Sequence, residues 1–488
     1  MLLRIGRFLW KVVKWTFLVV FTLFVLLVLI NWRDEPLSDE ARALLETKSV
    51  EIPDRENIFV AMAGFNAPEG CDIFEYGRNK SKEIEKEFEK DPFNLKGVIK
   101  GLENSDDQKE NLSWQDAAPP FDCQVGKETD FRECVYAKKE SLEKALAANE
   151  TLIRRYRLLQ ELPHYAPPVP FVGTMNVEYS QIIQTQRHLM AQAMLDIENG
   201  KAKEGLAFFK KDTAFWRRNL EGKSSLLDSM IATASLARDV YGLSLLLSSS
   251  STVVEGQASE WWGLLTPLSH EQSSLRPAMV GEIRITYHLS PVWKESVSYQ
   301  NVKDLICGLK KWSKEPCSVW DVWGGWLERN VEVLFFLPQA TFNYLAPVYK
   351  TWLKLTDLPW KDYIEQRDGT LAALADLYNP GIDFIYNPVG KRQYRLVVYV
   401  WDDYVVRIHD FDTYLRMVRL QLELRLAKTP SAEIPAFIAQ DKDFCSPCSD
   451  FSWNAETRML SFQPLNSGRL SGRVPPSVYV PEPATKKP

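Results

Sequence analysis

Histidine is scarce in this 488-residue chain, with five in all: His164, His188, His270, His288 and His409. No two of them form H-E-x-x-H, which sets two imidazoles on one helix face around zinc. The chain also lacks G-x-x-x-x-G-K-[ST], G-x-G-x-x-G and G-x-S-x-G. The phosphate cradle, the dinucleotide turn and the exposed serine elbow therefore have no foothold. Ser141-Leu142-Glu143-Lys144 fits S-x-x-K, but neither S-D-N nor K-T-G accompanies it, and Leu142 belongs to a helical stripe. A basic surplus is missing too. The net charge is −5, and Arg4, Arg7, Lys11 and Lys14 precede Trp15 without an acid, so the rest carries −9. An acidic body lacks the basic face that phosphate backbones require, which argues against nucleic acid as a partner.

What is present begins with Trp15–Trp32, "WTFLVVFTLFVLLVLINW", 18 residues without a charge. At about 1.5 Å per residue it covers roughly 27 Å, close to a bilayer core. Trp10, Trp15 and Trp32 stand where interfacial aromatics belong. Basic residues precede the run and Arg33-Asp34-Glu35 follow it, so the positive-inside rule places the N-terminus in the cytoplasm and residues 33–488 outside. A cleaved signal peptide is the rival reading. No small-x-small site follows the run, and the run is longer than a usual signal core, so an uncleaved signal-anchor is expected.

The body reads as mainly α. Leu142, Ala145, Asn149, Leu152, Tyr156 and Leu159 recur at steps of three and four, which predicts one helix over 137–162, ended by Pro163. "YAPPVPF", Tyr165–Phe171, is a stiff proline hinge and the first boundary. Three helices follow. Ile183, Met190, Met194 and Ile197 line the first. Asn199-Gly200 makes a turn. Leu206, Phe209, Thr213, Trp216 and Leu220 line the second, and Ser224-Ser225 cap the third. The hairpin around Asn199-Gly200, with Ala202 and Ala207 as small packing residues, has weakly tetratricopeptide-like dimensions, although no 34-residue repeat recurs. Residues 260–365 are rich in tryptophan. Val333–Tyr349 carries no charge but holds Pro338 and Pro347, so buried core is the leading reading and a bilayer-facing surface the sharper alternative. A long helix spans 403–428. "FSWN" and "MLSFQ" flank "AETR" as a β-hairpin, and a Pro- and Gly-bearing tail is expected to be disordered. The expected organisation is thus a basic cytoplasmic segment (1–14), a transmembrane signal-anchor (15–32), an N-terminal extracytoplasmic helical region (33–165), a body of packed helical hairpins (172–440), a Cys-turn and β-hairpin (441–464) and the tail (465–488).

Two constellations could carry chemistry. "WDDYVVRIHDFD" gathers Asp402, Asp403, His409, Asp410 and Asp412. On a helix Asp402 and His409 share a face, as do Asp403 and Asp410, and carboxylates with an imidazole can bind a divalent metal or act as acid and base. Asp410-Phe411-Asp412 is also the D-x-D pattern of many glycosyltransferases, though those place it after alternating strands and helices. A solvated acidic first turn is the structural reading. The second constellation is the seven cysteines. Spacing suggests Cys123–Cys134, Cys307–Cys317 and Cys445–Cys448, leaving Cys71 over, although sequence does not fix connectivity. Disulfides fit an oxidising compartment. Cys445-x-x-Cys448 precedes a predicted hairpin rather than a helix, so it lacks the helix N-terminus that activates thioredoxin-type thiols.

"NIFVAMAGFNAPEG", Cys123 and Cys134 ahead of "LIRRYRLLQELPHY", "AFWRRNL" with "LLDSMIATASLARDV", and "LPQATFNYLAP" together resemble a group of uncharacterised bacterial single-pass membrane proteins. The resemblance implies a bacterial inner membrane and a periplasmic domain, and carries no activity to any residue. The expected function is a membrane-anchored, non-catalytic scaffold or accessory protein with no cofactor. It would engage the lipid bilayer through residues 15–32 and a protein partner through its body. An envelope enzyme using the Asp402–Asp412 cluster with a divalent metal, and a thiol-redox protein using Cys445 and Cys448, are the alternatives.

Overall fold

The computed structural model describes residues 2–46, 52–90, 111–123, 131–167, 177–249, 253–293, 303, 307, 316–376, 385–392, 401–440, 451–465 and 476–482. It is mainly helical, with one small antiparallel sheet. The helices of ten residues or more, in chain order, are α1 (Leu2–Ile30), α2 (Ile73–Lys90), α3 (Lys139–Ala148), α4 (Glu150–Glu161), α5 (Tyr179–Glu198), α6 (Ala202–Glu221), α7 (Leu226–Leu247), α8 (Arg276–Trp293), α9 (Val319–Leu334), α10 (Pro338–Leu355), α11 (Trp360–Asp376) and α12 (Asp402–Leu426). The chain forms two compact units, neither of which is one continuous stretch. The first comprises Met1–Glu46, Ile283–Trp352 and Gly369–Val400, and the second Thr47–Glu282, Leu353–Asp368 and Trp401–Pro488. The described residues on both sides of the proline stretch at 165–171 belong to the second unit.

In the second unit α5, α6 and α7 pack in sequence, and α7 packs on α12. Asn199-Gly200 makes the first turn because Gly200 takes a left-handed φ of +86°, which costs a residue without Cβ little. Ser225 caps α7 by accepting the Asp228 N–H at 3.1 Å. The small residues that let α5 and α6 approach are Ala202 and Gly205, since a Cβ on Gly205 would overlap the Ala193 carbonyl oxygen. Ala207, expected in that role, is exposed.

Several expectations needed local correction. The helix over 137–162 is two helices, α3 and α4, which meet at Asn149. The Asn149 side chain is buried and donates to the carbonyls of Ala145 (2.7 Å) and Gln115 (2.8 Å) while accepting the Gln115 N–H (2.8 Å). An amide that bonds its own backbone in this way competes with helix continuation. Arg425, in the last turn of α12, is buried. It donates to the carbonyls of Leu247 and Ser249, both at 2.5 Å, and so satisfies the C-terminal end of α7. The hairpin forms from Ser452–Asn454 (β1) and Met459–Ser461 (β2), in register Trp453 opposite Leu460. A third strand, Ser477–Tyr479 (β3), pairs with β2 out of the segment expected to be disordered. Leu460, Val478 and Val480 are buried, and that apolar face is what draws the tail onto the sheet.

In the first unit, Val333–Tyr349 is split between the end of α9 and α10, with Pro338 at the start of α10. Phe336, Leu337, Phe342, Leu345, Val348 and Tyr349 are buried, in line with the core reading.

Candidate functional site

The residues of the Asp402–Asp412 cluster all lie on α12, but each described carboxylate contact is a different one. Asp402 accepts the Tyr363 O–H (2.6 Å) and two Arg367 nitrogens, Nε at 2.7 Å and Nη2 at 2.5 Å, all from α11. Asp410 is buried and accepts the Leu465 N–H at 3.1 Å. Asp412 accepts the Leu268 N–H at 2.9 Å and pairs with Arg416 at 2.8 Å. Asp403 is half-buried. The His409 ring lies against Trp360, with centroids 3.9 Å apart, and near Tyr363. Burial pushes its imidazole down to about 3, and Arg416 adds to the shift, so it is neutral in the physiological range. These groups dock α11, the 265–268 turn and Leu465 onto α12. Among the described residues no group of three or more His, Cys, Asp and Glu side chains is arranged to hold a metal ion.

Cys123 and Cys134 stand at disulfide distance, with sulfurs 1.99 Å apart, and so do Cys307 and Cys317 at 2.05 Å. Cys71 is exposed and in no disulfide. Cys445 and Cys448 lie outside the described residues.

The constellation nearest to acid–base chemistry was not among those read from sequence. Asp212 of α6 and Asp239 of α7 are both fully buried. Asp212 accepts from Tyr156 Oη (2.7 Å), Gln160 Nε2 (2.7 Å) and Gln186 Nε2 (2.8 Å), so three neutral donors stabilise its anion. Among the described residues Asp239 has one weaker donor, Gln186 Nε2 at 3.2 Å, and its Oδ2 accepts from none. Burial raises the carboxyl of Asp239 far above the usual range, and the adjacent Asp212 raises it further. Burial raises the carboxyl of Asp212 as well, but its three donors favour its anion, so the proton of the pair rests on Asp239. Arg238 donates to Gln186 Oε1 and balances the remaining negative charge. The same pairing of carboxylates serves some hydrolases. Here Tyr156, Gln186, Asp212 and Asp239 have no exposed surface, so no substrate reaches the pair while the helices stay packed. A sequence signal existed, because Asp212 sits between Phe209 and Trp216 on the apolar stripe of α6.

The first unit builds a different kind of site. The window Trp10–Ile30 of α1 has 21 residues, mean hydropathy 2.6 and none of its residues buried, so it is long and apolar enough to cross a membrane. It starts earlier than the uncharged run because it takes in Lys11 and Lys14. α7 passes the same length and hydropathy test, but 67% of its window is buried, as befits a core helix. The exit of α1 is fastened by side chains. Asn31 is buried. Its Nδ2 donates to the carbonyls of Leu27 (2.8 Å) and Ile385 (2.9 Å), and its Oδ1 accepts the Asn387 N–H (2.7 Å). Asp34 caps α10, accepting the N–H groups of Gln339 and Ala340 at 2.9 Å each. Asn387 holds a left-handed φ of 51° and accepts the Leu337 N–H at 3.0 Å. Further along, Asn343 donates to Glu35 and Pro36, and Lys350 pairs with Glu40 at 2.8 Å. Residues 31–40 thus run against α10 as a fixed strap.

The same unit contains α9, capped by a reciprocal Ser318–Asp321 pair. Trp320, Trp323, Leu327, Val331 and Leu334 are all exposed, whereas Val322 is buried. Phe335, at the end of α9, meets Phe24 of α1 edge-on, with ring centroids 6.1 Å apart. No family model, curated protein or solved structure matches the chain.

Proposed function

We propose that this protein is a membrane-anchored extracytoplasmic scaffold or accessory protein without catalytic activity of its own. In this reading the N-terminus is cytoplasmic and the body lies in the periplasm of a bacterial inner membrane, as in the group it resembles. The observation that carries the reading is the exposed apolar α1 whose exit is locked into the folded unit through Asn31 and Asp34. A flexible tether serves to keep an enzyme near a surface. A strapped helix instead fixes the orientation of whatever the body presents, which suits an assembly subunit. The basic residues before Trp15 support the orientation, and two cysteine pairs at disulfide distance fit an oxidising compartment. The α5–α6 hairpin, of tetratricopeptide-like dimensions, is the type of surface that holds a protein partner.

Chemical crosslinking in intact membranes, followed by purification of the full-length chain, tests this. The expected result is a stoichiometric protein partner retained with the purified chain. A chain that purifies alone and turns over a substrate by itself would show that the scaffold reading is wrong.

A further inference from the structure

We infer that α9 is a second membrane contact, an amphipathic helix whose Trp320–Leu334 stripe lies in the lipid leaflet through which α1 emerges. This rests on the reading of α1 as a bilayer span. The stripe is periodic. Trp320, Trp323, Leu327, Val331 and Leu334 follow one another at steps of 3, 4, 4 and 3, which return to one face of a helix. That face is the exposed one. The charged residues flank it or lie behind it. Asp321 is tied into the cap, and Arg329 and Glu332 pair with each other at 3.8 Å. Glu328 alone among the acids of α9 is exposed, at the edge of the stripe.

Continuity with α1 identifies lipid as the occupant. Phe24 lies seven residues before Asn31, roughly 10 Å of helix rise, so its partner Phe335 sits within the apolar layer rather than at its rim. Pro338, at the N-terminus that Asp34 caps, is back at the level of the strap. The three residues from Phe335 to Pro338 can extend at most roughly 11 Å, which matches that ascent. The C-terminal end of α9 is therefore at hydrocarbon depth, and its bare face continues the bare face of α1. Trp320 and Trp323 at the other end suit the headgroup boundary, where an aromatic body and a polar N–H are both accommodated. A helix held in this way against the span would also resist rotation of the body about α1.

The test uses the full-length protein reconstituted into phosphatidylethanolamine–phosphatidylglycerol vesicles. Spin labels are carried on a genetically encoded keto amino acid, which leaves all seven cysteines untouched. Labels replace Trp323, Leu327, Val331 or Leu334 on the stripe, Asp321 or Glu332 off it, and Val20 within α1. Power saturation then compares collisions with lipid-soluble oxygen and with a water-soluble nickel chelate. The expected result is an oxygen-to-nickel ratio several-fold higher on the stripe than at Asp321 and Glu332, approaching that at Val20. Stripe labels reached by nickel, with Val20 shielded, would overturn the inference and leave the anchor standing. Stripe labels reached by neither reagent would also overturn it, because protein would then cover the face. A Val20 label reached by nickel would overturn the anchor reading and the inference with it.

Discussion

Replacing Asp239 with Asn is expected to change how stability depends on pH. In the wild-type protein the folded-state carboxyl of Asp239 titrates far above its ordinary value of 3.8, because burial and Asp212 both oppose its ionisation. Its contribution is therefore fully present below pH 3.8 and is lost as the pH climbs toward the raised folded value. In between, the unfolded chain has released a proton that the folded chain keeps, and stability falls by about 1.4 kcal/mol per pH unit for this single proton. Asn at this position has nothing to ionise, so this slope vanishes. Other groups bend the absolute profile. Asp228 and Glu282, raised by burial, act in the same direction. His188, pushed down to about 4, His409, pushed down to about 3, and Lys223, pushed down to about 7, all by burial, act in the opposite one. Those groups are unchanged in the variant and cancel in the comparison with wild type, whereas Asp212, also raised by burial, keeps a slope of its own in the variant. Denaturant unfolding of the full-length protein in detergent, at a series of pH values, should show the variant gaining on the wild type from acid to neutral pH. Parallel profiles would mean that Asp239 is not the protonated partner of the pair.

A valine at Gly64 should strongly destabilise the second unit. Gly64 ends the short helix Ile58–Ala63 where it crosses α2, and a Cβ there would overlap the Ile73 carbonyl oxygen. Gly77 of α2 faces back, and a Cβ on it would overlap the Val60 carbonyl oxygen. Two backbones therefore touch directly, and neither can rotate aside as a side chain does. The φ of −96° at Gly64 is open to any residue, so the cost is steric rather than conformational. Overpacking usually costs about 1–3 kcal/mol, and a backbone contact places Gly64→Val at or above the top of that range. Gly263 gives the contrast. It is helical, exposed and has nothing near its missing Cβ, so Gly263→Ala should stabilise by about 0.5–1 kcal/mol through helix propensity alone. Unfolding midpoints that move in opposite directions for the two variants are the expected result. A Gly64→Val variant with the wild-type midpoint would show that the helices do not meet there.

These two sites also show where sequence reading succeeds and where it stops. The stripes of α5, α6 and α7 are legible because apolar residues at steps of three and four share one face of a helix, whereas a strand repeats every two. The β1–β2 hairpin is legible from its turn residues. Asn149 reads as one more stripe position, and it is buried, but nothing in the pattern says that its amide bonds its own backbone and divides the helix. Arg425 looks solvated because arginine usually is. Its place becomes clear only with α12 lying against the open end of α7. The Asp212–Asp239 pair depends on two helices meeting at one level, a tertiary fact, although a carboxylate inside an apolar stripe is a usable warning. The D-x-D at Asp410–Asp412 misleads in the opposite way. Its residues do stand together in sequence, yet Asp410 turns to Leu465 and Asp412 to Leu268 and Arg416. The stripe of α9 does not show up as a long uncharged run, the usual sign of membrane contact. An interfacial helix keeps its charges on the far side and shows a period instead.

The central claim, that the body stands outside the membrane that α1 crosses, is tested most directly on the native thiol of Cys71, which is exposed. Intact spheroplasts expressing the full-length chain are treated with a charged, membrane-impermeant maleimide, and the Cys71→Ser variant identifies the label belonging to that site. The expected result is labelling of Cys71 before lysis, at the extent reached after it. Labelling of Cys71 only once the membrane is opened would place the body in the cytoplasm and contradict the account.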